Sequence, residues 1–419
     1  MFTGSKKLKA HALTIVVVIA LVISLISGAL ILLAYHQRLI LQQRVLQGKM
    51  ERNMDSATEL LLSEHTIPLN QHTGLDLFQD GRDSVWLEKQ QWGIFELAHL
   101  HIQEGIHSWD KSFLYGYQPD SSQTALFLEE NGLPLYLGGE TTLSGIGYLP
   151  EAGHKEHTIS NIAINSISFR LDKQHRSGKL PTPDAQWVQT IQKTYLNRAD
   201  SLIPTKTPLS SDTLYQSFTQ PVRTIYTNKP LLLSNITIRG KVLLQSDTVI
   251  RVSKSAHLED VILAAPQIFI EDEFKGSLQA FASDSLILGN NCVLMYPTVL
   301  AIAKTKENEK QPNLRVGNQS IVKGIILGIH YIEDLKRTRI VLEADSELEG
   351  QVYTAGFLES RGSIRGGVLC HKFTWHDQIS VYENHLINTR IETTKASRYF
   401  VAGNLLTSKR GKGVAKWVE

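Results

Sequence analysis

The sequence predicts a mainly β protein carried on one N-terminal transmembrane helix. The order is helix, α-helical stalk, mixed β domain, then a β-solenoid of the right-handed β-helix kind. Three observations predict it. Residues 10–35 run for 26 positions without Asp, Glu, Lys or Arg. An apolar face recurs at helical spacing between Leu39 and Leu61. A five-residue pattern centred on glycine occurs five times between Ile238 and Val368.

Residues 1–10 read as a basic tail containing Lys6, Lys7 and Lys9. Residues 11–35 read as the span, because crossing a bilayer needs about 20 apolar residues. A cleaved secretory signal has an apolar core of about 7–15 residues. Here Leu30-Ile31-Leu32-Leu33 continues past the small residues Ser24, Ser27, Gly28 and Ala29, so the stretch reads as a retained anchor. Membrane lipid is therefore the expected partner of residues 11–35. Basic residues flank both ends, with Arg38, Arg44, Lys49 and Arg52 on the far side. The short lysine tail favours an N-terminus inside and a large domain outside the cytoplasm.

Residues 36–66 are rich in helix formers, and the first proline is Pro68. Leu39, Leu46, Met50, Met54, Ala57 and Leu61 fall on one helical face. Two readings of that stripe stand: packing on the chain's own domain, or bundling of helix 36–64 with copies or partner helices.

A short basic leader, an apolar helix half and an amphipathic second half resemble a type IV pilin or pseudopilin. In that family a leader peptidase cuts after a small residue, which the resemblance places at Ala10, and Leu13 matches the family's leucine. His11 stands where the family has phenylalanine, and Ile15 where it has glutamate. The resemblance implies a minor or tip subunit of a pilin-like or secretion apparatus.

Composition excludes little. Net charge is +2, charged residues are 20% and hydrophobic residues 42%. Such a balance gives no electrostatic footprint for nucleic acid. The basic run Lys409-Arg410-Gly411-Lys412 reads as a solvated tail. The two cysteines, Cys292 and Cys370, lie in apolar β-rich stretches and read as buried thiols. A disulfide between them requires the fold to bring them together.

Residues 67–205 read as the mixed β-rich domain. Leu133–Pro150 looks like a strand pair turning at Gly138-Gly139, and one helix is expected near 183–202, with Trp187, Ile191, Tyr195 and Ala199 four apart. Residues 206–380 read as the solenoid, with a polar insertion at 304–313, and 381–419 as its C-terminal cap.

The repeat is hydrophobic, mostly charged, Gly, any, hydrophobic. It occurs at Ile238–Val242, Phe274–Leu278, Val322–Ile326, Leu348–Val352 and Ile364–Val368, with a partial copy at Leu143–Gly147. Apolar triplets recur 18 and 19 residues apart and the last two glycines 16 apart, a period too short for helical repeats. That period suits coils of short parallel strands, with glycine at corners where the next coil's backbone lies about 4.8 Å away. An antiparallel sandwich remains the other fold compatible with short periodic strands. The repeat style over 230–370 is similar to bactofilins and other polymer-forming β-helical proteins, which implies self-assembly through the solenoid. The whole layout resembles uncharacterised bacterial envelope proteins, which implies an inner-membrane location.

The residues point to no catalytic, cofactor-binding or metal site. His99 and His101 alternate on a strand and share a face. With 15 histidines in the chain, such a pair is expected by chance, and the same holds for His107, His154 and His157. Glu271, Asp272 and Glu273, and Asp345, Glu347 and Glu349, form acidic clusters that read as solvated turns. Glycosidase chemistry needs two acids about 5–10 Å apart on a groove. Trp86, Trp92 and Trp109 are candidates for sugar stacking or for the core. No nucleophile elbow, P-loop or dinucleotide fingerprint is present. The leading expectation is a non-enzymatic, membrane-anchored envelope component. A membrane-tethered carbohydrate-binding or carbohydrate-active β-helix and a cytoplasm-facing scaffold are the alternatives.

Overall fold

The computed structural model describes residues 8–63, 69–77, 83–118, 124–159, 162–197, 212–304, 310–330, 336–377, 379–393, 397, 399–406 and 411–419. Lys6 and Lys7 of the basic tail, Pro68, half of the 304–313 insertion and Lys409-Arg410 lie outside them. The chain is 55% strand and 18% helix.

Helix α1, Leu8–Leu62, is unbroken over 55 residues, about 80 Å at 1.5 Å per residue. It contains one stretch long and apolar enough to cross a membrane. From residue 12 to residue 45 its side chains are exposed. Met54, Ala57 and Leu61 pack on an antiparallel sheet, and Met50, one turn before them, is also buried. Of the predicted stripe, those four are covered by the chain's own domain. Leu39 remains exposed and Leu46 half-buried. The sheet has five strands in the order Thr73–Leu75, Asp83–Trp92, Phe95–Glu104, His107–Tyr117 and Lys412–Val418. Val85, Leu87, Ala98, Leu100, Ile102, Phe113 and Tyr115 face the helix, as alternation in a one-sided strand requires.

The second body is a stack of parallel rungs. Ile238 pairs with Leu258, and Leu294 with Val322, Val322 with Leu348, and Leu348 with Ile364, all in parallel register. This is the β-helix-like arrangement, not the antiparallel sandwich. The rungs repeat after 16 residues between Leu348 and Ile364, and after 18 between Ile268 and Leu286. They repeat after 26 between Leu300 and Ile326, and between Val322 and Leu348. Each fully buried Leu, Ile or Val of the column adds about 1.5–3 kcal/mol of apolar burial.

The column then continues out of chain order. Ile364 pairs with Ile391, Ile391 with Leu143, and Leu143 with Phe169. One rung is assembled from two distant pieces: the strands His385–Ile387 and Arg390–Glu392, and the strand Thr124–Leu128, which pairs with Val368–Cys370. Strands from 124 to 176 therefore extend the solenoid, although the sequence groups them with the antiparallel strands. Much of the expected cap is likewise woven in, since 385–392 completes a rung and Lys412–Val418 joins the antiparallel sheet.

Gly138-Gly139 is a corner and not a hairpin. The strand Leu135–Gly138 pairs with His385–Ile387 and His154–Glu156, while Glu140–Leu149 belongs to a different sheet. Gly139 has φ +63 there, which a corner uses as readily as a hairpin does. The last rung, Ser166–Arg176, carries Arg170, Asp172, Lys173 and Arg176 along its edge, a pattern that blunts strand addition.

The helix expected near 183–202 is α2, Ala185–Ile191, capped by Asp184 and continued by a π-turn over Gln192–Leu196. Residues 198–211, and with them Ala199 of the expected helix, lie outside the described part. With Leu180, Leu405 and the tip of the antiparallel sheet, Ile191 and Tyr195 cover the apolar outer side formed by Leu243, Ile262, Phe281, Val299 and Ile325. Those strands are buried on both faces and so read as continuous apolar runs.

Candidate functional site

A titratable cluster lies where the antiparallel sheet meets the solenoid. On the face turned away from α1, pairing aligns Glu88 with His99 and Ser112, and Trp86 with His101 and Asp110. His99 Nδ1 is 3.0 Å from the Ser112 hydroxyl, and its Nε2 is 3.5 Å from Asp110. His101 Nδ1 is 2.8 Å from the same Asp110 oxygen. Gln90 donates to Glu88 at 2.6 Å and accepts from Lys241 Nζ at 2.6 Å, which ties this face to the solenoid. Lys416 on the neighbouring strand reaches Asp260 at 2.7 Å and Glu259 at 3.3 Å. Burial lowers the pKa of His99, opposed by Asp110 and Glu88, and burial also lowers Lys241.

The Ser112, His99 and Asp110 side chains touch in sequence, as nucleophile, base and orienting acid do. Ser112 is buried, and its partner nitrogen is Nδ1 while Nε2 faces the acid. A nucleophile must meet a substrate, and this hydroxyl is closed off. Among the described residues no group of three His, Cys, Asp or Glu side chains is placed to hold a metal. The cluster is a polar seam that fixes the two bodies together.

The other sequence candidates separate. Glu271, Asp272 and Glu273 form a rung corner: Lys254 pairs with Glu273 at 3.1 Å, and Asp272 accepts the Asn290 N–H at 2.7 Å. Glu347 pairs with Arg365 at 2.9 Å and Glu349 with Lys323 at 3.3 Å, across adjacent rungs. Trp92 is buried edge-on to Phe218, Trp109 packs on the helix side of the sheet, and Trp86 lies on the opposite face beside His101. They do not line one surface. His107 is exposed in a hairpin, His154 stacks on Phe169, and His157 Nδ1 is 3.1 Å from His385 Nε2. Cys292 and Cys370 are free and buried, and burial raises both thiol pKa values, so neither is a poised thiolate.

Two charged groups escape sequence reading. Glu359 is buried yet bound by Arg339 at 2.5 Å, Arg361 at 2.8 Å and His376 at 2.8 Å, with Arg361 lying over Trp375. Its pKa is lowered: burial alone would raise it, and the two guanidinium groups outweigh that. Glu129 meets His371 at 2.5 Å across the splice between the early and late segments. Alternation marks Glu359 as outward-facing, but only rung register reveals its partners.

No family model matches the sequence, and no curated protein or solved structure matches it.

Proposed function

We propose that this chain is a non-enzymatic, single-span structural or assembly component of the bacterial inner membrane, with its β bodies outside the cytoplasm. It would serve as a minor subunit of a pilin-like or secretion apparatus. The observation that carries the reading is the division of α1: residues 12–45 are exposed, and Met54, Ala57 and Leu61 are packed on the sheet. An unbroken helix of this kind transmits position from a bilayer to the rigid β stack without a flexible linker. The sheet in turn is fastened to the solenoid by the Lys241–Gln90 and Lys416–Asp260 contacts.

Fractionation tests anchoring. The intact chain should stay with membranes in alkaline carbonate, and a chain lacking residues 1–35 should not. Recovery of the shortened chain in the same pellet overturns the anchor. Protease added to intact spheroplasts should digest the β bodies, and full protection overturns the sidedness. Mass spectrometry after exposure to a prepilin peptidase tests the pilin relation, which requires cleavage after Ala10.

A further inference from the structure

The face of α1 opposite its own sheet carries Gln37, Leu41, Arg44, Gly48, Glu51, Asp55 and Glu59, spaced by four, three, four, three, four and four residues. That spacing is one continuous helical stripe. Solvent-facing helix surfaces are normally polar. Here Leu41 is 59% exposed, and beside the stripe Ile40 is 49% and Val45 71% exposed. Among the described residues nothing in the β bodies covers them. A Cβ at Gly48 would meet no atom within 4 Å, so the backbone is open to close approach there.

The charges along this face reverse. Residues 1–50 contain no Asp or Glu, and Arg38 and Arg44 are exposed. Beyond them come the exposed acids Glu51, which accepts from Gln47 at 3.0 Å, Asp55 and Glu59, with the single exposed base Arg52 among them, so the upper half stays acidic in net charge. Lys49 is turned to Glu104 on the chain's own sheet, at 3.1 Å. Two copies of this chain anchored side by side in one bilayer stand parallel and level. Arg44 would then face Arg44 and Asp55 would face Asp55, a destabilising like-charge register. Lipid is the wrong height: Arg44 lies nine residues past Tyr35, about 14 Å along the helix, whereas a headgroup layer is about 5–7 Å deep.

We propose that this face docks the juxtamembrane helix of a different protein anchored in the same membrane, acidic next to the bilayer and basic above it. Leu41 and Val45 form the apolar seam and Gly48 the point of closest approach. The inference rests on the anchoring reading above and names the chemistry of the partner.

The test uses the full-length chain in phosphatidylcholine vesicles and two synthetic single-span peptides of equal composition. One peptide places Glu beside the bilayer and Lys above it, and the other reverses the order. Energy-transfer titration should show the first binding about tenfold more tightly, the sum of several weak pairs. Arg44→Glu combined with Asp55→Lys should reverse the preference, and self-association should be weaker than either. Equal binding, an unreversed preference or tighter self-association overturns the proposal. So does protection of a Leu41→Cys thiol from maleimide by phosphatidylglycerol alone, which would make lipid the occupant. Loss of the chain from vesicles in carbonate overturns the anchoring reading and this inference with it, while retention without peptide preference overturns this inference only.

Discussion

Gly366 lies directly across from Gly350 on the neighbouring rung, and a Cβ built on Gly366 would fall far inside 3.0 Å of the Gly350 carbonyl oxygen. Gly350 stands in the same relation to Gly324, and Gly324 to the Thr298 carbonyl. All three glycines have φ between +149 and +156, where a side chain is strained whatever the space. The repeat visible in sequence is thus a column of corners at which each backbone touches the one before.

Gly366→Ala should cost about 3 kcal/mol, combining backbone strain with a forced shift of the adjacent rung. Urea unfolding followed by far-UV circular dichroism measures it. Gly178→Ala is the control, since a Cβ there meets nothing within 4 Å and φ is ordinary. It should stay within about 0.5 kcal/mol of the parent. Equal effects at the two sites would refute the steric account.

Gln279 acts as a clamp. Its amide oxygen accepts the Ile94 N–H at 3.1 Å, and its amide nitrogen donates to the Trp92 carbonyl at 3.1 Å, both in buried surroundings. Gln279→Leu strands two buried backbone groups and should cost about 2 kcal/mol. Amide hydrogen exchange at Ile94 should accelerate while Ile326, deep in the solenoid, keeps its protection. Unchanged exchange at Ile94 would refute the clamp.

Acid should loosen the molecule at its histidines. Burial lowers the pKa of His99, His371 and His385 below the ordinary value of 6.5. A group with a depressed folded pKa binds more protons when unfolded, so its contribution is complete above pH 6.5 and is lost as pH falls through the folded value. The urea midpoint should drop between pH 7.5 and 5. His385→Gln should lessen the drop, because it removes one buried group that must charge. A midpoint flat over that range contradicts the assignment.

Removing residues 384–419 should free the early strands. Without His385–Ile387 and Arg390–Glu392, the strands Leu135–Gly138 and Glu140–Leu149 lose their partners on one side, and Asn131 loses its reciprocal amide pair with Asn384. Limited proteolysis should then cut within 124–176 while 237–330 resists. Protection of both regions would show that the splice carries little stability.

What could be read from the chain follows from range. The stripe Met50, Met54, Ala57 and Leu61 and the glycine corners are local patterns set by the 3.6-residue period and by one steric rule, and each occupies the place it foretells. The splice is not local. Leu126, Phe127 and Leu128 look like any short strand, and the residues they pair with are Val368, Leu369 and Cys370. No periodicity links segments so far apart. Gly138-Gly139 misleads for a related reason, because a positive φ serves a hairpin and a corner alike. The polar seam was half legible: alternation places His99 and His101 together, but Lys241 arrives only through tertiary packing.

The spliced rung sets an order of events during synthesis. The strand at 124–128 leaves the ribosome 264 residues before Glu392, the end of the segment that completes its rung. At about 5–20 residues per second, that is a wait of roughly 13 to 53 s. Throughout that interval a nascent copy displays bare strand edges, so a prematurely terminated chain stays visibly unfinished to proteases and chaperones.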